Sequence, residues 1–430
     1  MIDDYIHAND DFLFVSSAGN RGRNNTDKSI GSECSMKNGI CVGASNSYGP
    51  NVKEYMASPD FVTHFSSKGP TQDGRIKPDI IAPGLYVLSA GAQPNVTGEC
   101  DPDDPEDVDF IRATTSTMGV GGLASKAGTS MAVPTISGSL LLIRQYFKEG
   151  FYPSGERRLE DSMEPSGALL KAVLLNGGVN LTAVDNSNDV RIDNYPSEPY
   201  DGIQGFGRVS LENSLYIKGE SNLIATVYDR EVIKEGETNS YSVLIHHSDL
   251  CQSKTLSVTL TWMDLASPST GCPEKCLIND LDLYITKNHD KYFPNGLDKR
   301  DEQNTVERVR IEDAEQDDVY NIHINAINLD DENKTQQYAL VFTGCFPPTS
   351  YAPSSTPTTE PTMQTTTSPT SKEVSQPIKK KKKKSKAKKK KKKLPKKKKS
   401  KQNKKKQPKK KKKEPKKRKQ TKKKNKKRKF

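Results

Sequence analysis

Two hydrophobic periodicities divide this chain. Up to about residue 218 the apolar positions come in blocks. Leu13-Phe14-Val15-Ser16-Ser17-Ala18-Gly19-Asn20 runs from an apolar block into a polar turn, the pattern of a buried parallel strand. Residues 131–143 are apolar almost all round, which predicts a helix enclosed on every side, with Pro134 in its first turn. A second helix is expected over 166–176, where Ala168, Leu169, Ala172, Val173 and Leu175 are apolar and Gly177-Gly178 stops the pattern. Asp3, Asp4, Asp10 and Asp11 suit a helix and turn before the strand at Leu13, with His7 on the exposed side of that helix.

From about residue 221 the period becomes two. Leu256, Val258, Leu260 and Trp262 alternate with Ser257, Thr259 and Thr261, and Tyr338, Leu340 and Phe342 alternate likewise. Half-buried antiparallel strands in this number predict a sandwich or jelly roll. The fold class is therefore α/β with a parallel sheet, followed by an all-β jelly-roll or sandwich domain. Neither period continues past Cys345. Residues 346–378 are a Pro/Thr/Ser-rich linker, and 379–430 are a polylysine tail with too few apolar residues to fold. The expected boundaries are 1–218, 221–345, 346–378 and 379–430.

The net charge of +13 conceals two opposite parts. Residues 379–430 hold 37 Lys and Arg against one acid, Glu414; residues 1–378 hold 30 basic and 53 acidic residues. An acidic body thus carries a polycation that suits a polyanion such as an acidic polysaccharide or an anionic surface, through counterion release. No aromatic residues interleave the lysines, which argues against sequence-specific nucleic-acid readout. The bland alternative is a solvated tail lying partly against the acidic body. The acidic run 101–107 is read as a solvated loop. No stretch of 18 or more apolar residues exists to span a membrane.

Candidate chemistry centres on Gly128-Thr129-Ser130-Met131-Ala132-Val133-Pro134. A glycine turn opening a helix puts Ser130 where free N–H groups favour developing negative charge. The string resembles the nucleophile motif of the subtilisin-like serine proteases, and further pieces resemble that family in its order. They are the strand ending at Asn20, Lys37-Asn38-Gly39-Ile40-Cys41-Val42-Gly43-Ala44, Phe65-Ser66-Ser67-Lys68-Gly69-Pro70, Lys77-Pro78-Asp79-Ile80-Ile81-Ala82-Pro83-Gly84 and Gly205-Phe206-Gly207-Arg208-Val209. The resemblance implies a serine endopeptidase that cleaves protein or peptide substrates through an acyl-enzyme on Ser130. It makes Asn20 an oxyanion donor and Ser17, Ala18 and Gly19 a wall of the substrate pocket, with no cofactor required. Glu33, near the opposite wall, either favours basic side chains or points into solvent.

The family order places a catalytic Asp and then a His before the oxyanion Asn. Residues 1–19 contain neither in the family's motif context, so both are expected upstream of Met1, together with a signal peptide. As written, the chain lacks the triad's base and acid and is expected to be inactive alone, to expose apolar surface and to leave a strand edge unpaired. The alternative function is an inactive protease fragment that binds a polyanion or matrix through its tail.

Leu277-Ile278-Asn279-Asp280-Leu281-Asp282-Leu283, Asn304-Thr305-Val306-Glu307 and Gln337-Tyr338-Ala339-Leu340 resemble the C-terminal β-domain of the alkaline, oxidation-resistant subtilisin-like proteases. Related β-domains can hold a structural calcium. Asn279, Asp280 and Asp282 offer suitable oxygens, and a plain polar turn and outer strand face explains them equally well. Of seven cysteines, Cys34 with Cys41 and Cys272 with Cys276 are close enough in sequence to bridge; the odd count leaves one partner to be found elsewhere. With the acceptor triplets at Asn24, Asn95, Asn180 and Asn333, they point to a secreted glycoprotein.

Overall fold

The structure is a computed structural model that describes residues 1–23, 27–48, 58–90, 123–185, 191–192, 200–268, 272, 274–330 and 333–347. Asn24, Asn95, Cys100, the run 101–107, nearly all of the linker and the whole tail lie outside the described residues. Met1–Thr362 form one compact unit.

The chain runs through α1 (Ile2–Ala8), β1 (Val15–Ser17), β2 (Ile40–Ser45), β3 (Phe61–Val62), β4 (Ile80–Pro83), β5 (Val87–Ala90), β6 (Leu123–Lys126), α2 (Thr129–Lys148), α3 (Gly167–Asn176), β7 (Ala183–Asp185) and β8 (Arg191–Ile192). Five β-strands follow as β9 (Ile224–Lys234), β10 (Thr238–Leu244), β11 (Leu256–Trp262), β12 (Asp280–Lys287) and β13 (Asp290–Tyr292). The last three are β14 (Val306–Ile311), β15 (Val319–Asn328) and β16 (Thr335–Gly344).

The first part holds a mixed six-stranded sheet. β2 lies between β1 and β4 in parallel register and meets β3 antiparallel at its end; β3, β7 and β8 extend the sheet. Ala132, Ile136, Leu140, Ile143 and Phe147 of α2 share a core with Ile40, Val42 and Ala44 of β2 and Ile80 and Ala82 of β4. Three sequence expectations are corrected here. β1 is half-buried rather than enclosed, because β2 is its one strand partner and its other edge is open among the described residues. α2 is not enclosed either: Pro134, Thr135, Gly138, Leu141, Leu142 and Gln145 form an exposed, uncharged stripe. Leu141 and Leu142 are 66% and 53% exposed. Pro134 is also one turn later than expected, inside the helix, so the Ser130 carbonyl lacks its i+4 donor.

The second part is two antiparallel sheets, β14-β11-β16-β9 and β10-β15-β12-β13, facing each other across one core. Leu256, Val258, Leu260 and Trp262 point inward with Leu281, Leu283 and Ile285 of the facing sheet. The alternating hydroxyl face of β11 was expected to meet water; instead every residue of β11 is buried. α3 covers that face. Ser257 Oγ and Thr259 Oγ1 each donate to Asn176 Oδ1 at 2.9 Å, and Thr261 Oγ1 donates to the Ala168 carbonyl at 2.8 Å.

Buried charge ties the two parts together. Lys37 Nζ donates to Asp264 Oδ2 at 2.6 Å and to the carbonyls of Leu265 and Cys276, while Lys171 Nζ donates to the Lys37 carbonyl at 3.0 Å. Disulfides join Cys34 to Cys41 and Cys272 to Cys276, the two pairs their spacing suggested. A third, Cys251 to Cys345, spans 94 residues and ties the segment before β11 to the end of β16.

Candidate active site

Ser130 is the second residue of α2 and is exposed. Gly128 precedes the helix at φ 153°, a conformation that favours glycine. A Cβ there would also lie 3.4 Å from Asn20 Nδ2. The Gly128 N–H donates to the Gly84 carbonyl at 2.8 Å, which fixes the entry to the helix against the end of β4.

Asn20 follows β1 across two residues and holds this turn. Its Oδ1 accepts the Thr129 backbone N–H at 2.9 Å and the Thr129 hydroxyl at 3.0 Å. Thr129 Oγ1 in turn accepts the Gly19 N–H at 3.2 Å. A backbone N–H can only donate, so the Asn20 oxygen must face it and Nδ2 must face away. The Ser130 N–H, in the first turn, has no intrahelical acceptor. Asn20 Nδ2 and the Ser130 N–H are the two donors at this turn that could serve an oxyanion.

The remaining motif pieces pack behind this turn. Gly19 has φ +102°, and a Cβ there would meet Ser67 Oγ at 2.9 Å. The Ser67 N–H donates to the Gly19 carbonyl at 2.9 Å, and Ser67 Oγ accepts the Arg21 N–H at 3.1 Å. Phe206 N–H donates to the Asp79 carbonyl and Ile81 N–H to the Gly207 carbonyl, which joins the 205–209 segment to β4. Ala18 is buried, while Ser17 and Gly19 are half-buried at the open edge of the sheet. Thr129, the residue that orients Asn20, went unnoticed in the sequence because a threonine at a helix start signals only a cap.

Among the described residues no histidine bonds Ser130. His7 is exposed on α1, its Nδ1 2.9 Å from the Met263 carbonyl. A His–Asp pair exists elsewhere, with His64 Nδ1 3.1 Å from Asp185 Oδ2. It joins the loop after β3 to β7, on the far side of β2 from β1.

Among the described residues no three His, Cys, Asp or Glu side chains are grouped to hold a metal ion. Asn279 is already engaged, its Oδ1 accepting the Asp330 N–H and its Nδ2 donating to Gln336. Asp280 pairs with Lys275 at 3.0 Å and Asp282 with Arg300 at 3.3 Å. Both aspartates are buried rather than on an outer face, and each keeps one oxygen, Oδ1, without a partner among the described residues. Burial, with Asp280 beside it, pushes the Asp282 carboxyl up to about 6.

Ser130 thus sits on a glycine-led helix start beside Asn20, backed by a mixed α/β sheet. Residues 1–195 match the model of the Subtilase family. A serine protease/ABC transporter B family protein, tagB, of Dictyostelium discoideum is 32% identical over 253 residues, 53% of this chain and 13% of tagB. Pyrolysin of Pyrococcus furiosus is 30% identical over 157 residues, 33% of this chain and 9% of pyrolysin. The chain thus spans about an eighth or less of the length of these relatives. The solved structure of tripeptidyl peptidase 2 aligns over 80% of this chain and 33% of its own, at 12% identity and a TM-score of 0.27. No helix among the described residues is long and apolar enough to cross a membrane.

Proposed function

We propose that the chain is the nucleophile-bearing part of a secreted subtilisin-like serine endopeptidase of the alkaline, oxidation-resistant type. Ser130 Oγ attacks the scissile carbonyl to form an acyl-enzyme. Asn20 Nδ2 and the Ser130 N–H stabilise the oxyanion. The base that takes the serine proton and the carboxylate that orients it come from outside these 430 residues. The chemistry requires no cofactor. The observation that carries this reading is the Asn20 Oδ1 to Thr129 N–H bond, since it ties the Asn20 amide to the residue beside an exposed serine. Disulfides support the secretory route. The open β1 edge and the uncharged α2 stripe support a missing complement, since such surfaces are normally covered.

The test is casein hydrolysis by the 430-residue chain and its Ser130→Ala variant. Loss of the base in subtilisin costs on the order of 10⁶ in turnover, so no Ser130-dependent hydrolysis is expected from the chain alone. Turnover near that of a complete family member would refute the assignment of the base.

The sandwich is read as a jelly roll. Of its eight strands in chain order, the first, eighth, third and sixth share one sheet, and the second, seventh, fourth and fifth the other. A structural calcium on Asp280 and Asp282 is a separate proposal, supported by their buried Oδ1 atoms. A melting temperature raised by calcium in wild type and not in Asp282→Asn supports it; insensitivity to calcium rejects it.

The segregated charge favours a second role, tethering to a polyanion through 379–430. Salt-sensitive retention on heparin or silica that disappears on deleting these residues supports it. Unchanged retention removes the role.

A further inference from the structure

Asn333 stands at an exposed turn beside an edge of the β-part. β9 is the outer strand of its sheet, with β16 as its one strand partner among the described residues. Tyr152 covers the first half of the free edge: its hydroxyl accepts the Val227 N–H at 3.2 Å and donates to the Val227 carbonyl at 3.4 Å. Further along β9, Val232 is 55% exposed, and Ile327 near the end of β15 is 43% exposed. The Asn333 turn lies beside both. Thr335 pairs with Lys234, which is two residues from Val232, about 7 Å along the strand. The Glu235 N–H donates to the Lys334 carbonyl at 3.0 Å, and the Gly236 N–H to the Ala326 carbonyl at 2.9 Å. Apolar side chains at a free strand edge invite association, and proteins normally cover or charge such edges.

Asn333-Lys334-Thr335 is also a glycan acceptor triplet. Asn333 and Lys334 are exposed and precede β16, so a bulky group on Asn333 displaces no strand. The other triplet among the described residues, Asn180-Leu181-Thr182, is placed differently. Asn180 is half-buried and Leu181 fully buried. The backbone around them is engaged: Val179 N–H donates to the Arg208 carbonyl at 2.9 Å, Leu181 N–H to Gln204 Oε1 at 2.8 Å and Thr182 N–H to the Asp60 carbonyl at 2.9 Å. An oligosaccharide on Asn180 has to fit within this paired segment; one on Asn333 does not.

We infer that Asn333, and not Asn180, carries an N-linked oligosaccharide that covers Val232 and Ile327 at the end of β9. The inference rests on the reading of the chain as secreted, and goes beyond it by assigning the modified residue and what the sugar does there. The donor is a lipid-linked oligosaccharide diphosphate. A bond forms between Asn333 Nδ2 and the first sugar's anomeric carbon, the bond from that carbon to the diphosphate oxygen breaks, and the amide proton leaves with the released lipid diphosphate. The hydrated sugar replaces apolar surface at the edge with a polar one.

The protein isolated from its source is digested and treated with peptide:N-glycosidase in heavy-oxygen water, which turns each glycan-bearing asparagine into an isotope-marked aspartate. Mass spectrometry is expected to find the mark at Asn333 and not at Asn180. A mark at Asn24 or Asn95 with none at Asn333 overturns the assignment while the secretory reading stands. A mark at Asn180 overturns the choice between the two triplets. No mark at any of the four overturns the inference and counts against the secretory route as well. Made in the same cells, Asn333→Gln is expected to lose the mass of one glycan and to bind more of a hydrophobic dye than wild type. Loss of the glycan with unchanged dye binding overturns the covering role.

Discussion

Asn20 Oδ1 accepts the Thr129 backbone N–H at 2.9 Å, and that bond decides which way the Asn20 amide faces. The residue next to Ser130 thus orients the amide that is proposed to stabilise the oxyanion. The two are 109 positions apart in sequence and are joined through the β1–α2 packing. In the form of the protein that hydrolyses peptides, Asn20→Ala is expected to lower kcat by roughly 10²–10³ with little change in KM, the size of loss measured for this donor in subtilisin. An unchanged kcat would show that Asn20 is only a turn residue.

Lys171 makes stability depend on pH. Its Nζ is fully buried and donates to the Lys37 and Asn38 carbonyls. Burial first, with Lys77 and Arg75 adding to it, lowers its pKa to about 7. An unfolded lysine keeps its proton to about 10.4. Between these values the unfolded chain binds more protons than the folded one, so this group makes stability rise with pH above 7, by up to about 1.4 kcal/mol per unit. Below pH 7 both states are protonated and the slope vanishes. Urea denaturation at pH 7 and pH 9 should show a smaller rise for Lys171→Met than for wild type. Equal slopes would contradict the assignment.

Leu141 and Leu142 test the exposed stripe of α2. Because both face solvent, Leu141→Lys with Leu142→Glu should change the stability of the chain by no more than about 0.5 kcal/mol. The same substitutions should reduce binding of a hydrophobic dye and self-association on sizing chromatography. A cooperative loss of several degrees in melting temperature would place these side chains in a core.

The Cys251–Cys345 bridge closes the long loop of the β-part. Its sequence separation of 94 predicts a loss of about 4–5 kcal/mol on replacing both residues with serine, by loop-closure entropy. The Cys272–Cys276 bridge, with a separation of 4, predicts only about 2 kcal/mol. Denaturant midpoints of the two double variants should fall in that order, and the reverse order would reject the entropic account.

Much of the site was legible in the sequence because its glycines have local reasons. Gly19 and Gly128 need positive φ, and Gly84 lies 2.7 Å, at its missing Cβ, from the Ala44 side chain. Such demands leave short, recognisable strings. The strand periods were legible too, since Leu281, Leu283 and Ile285 face one core. What the sequence concealed depends on neighbours far along the chain. The Ser257, Thr259 and Thr261 face reads as solvent-exposed until α3, some 80 residues earlier, is known to cover it. Lys37 reads as a surface lysine until Asp264 closes on it 227 positions away. Leu141 and Leu142 read as core because hydropathy reports what a face is made for, not what covers it.

The most direct test compares two forms of the protein on one substrate. The 430-residue chain and the protein isolated from its source are each exposed to a fluorophosphonate probe and to casein, and the labelled serine is located by mass spectrometry. The account predicts casein hydrolysis and Ser130 labelling in the isolated protein, which would carry additional residues with a histidine and an aspartate, and neither in the chain alone. Hydrolysis by the isolated protein with Ser130 unlabelled, or equal hydrolysis by the chain alone, would contradict it.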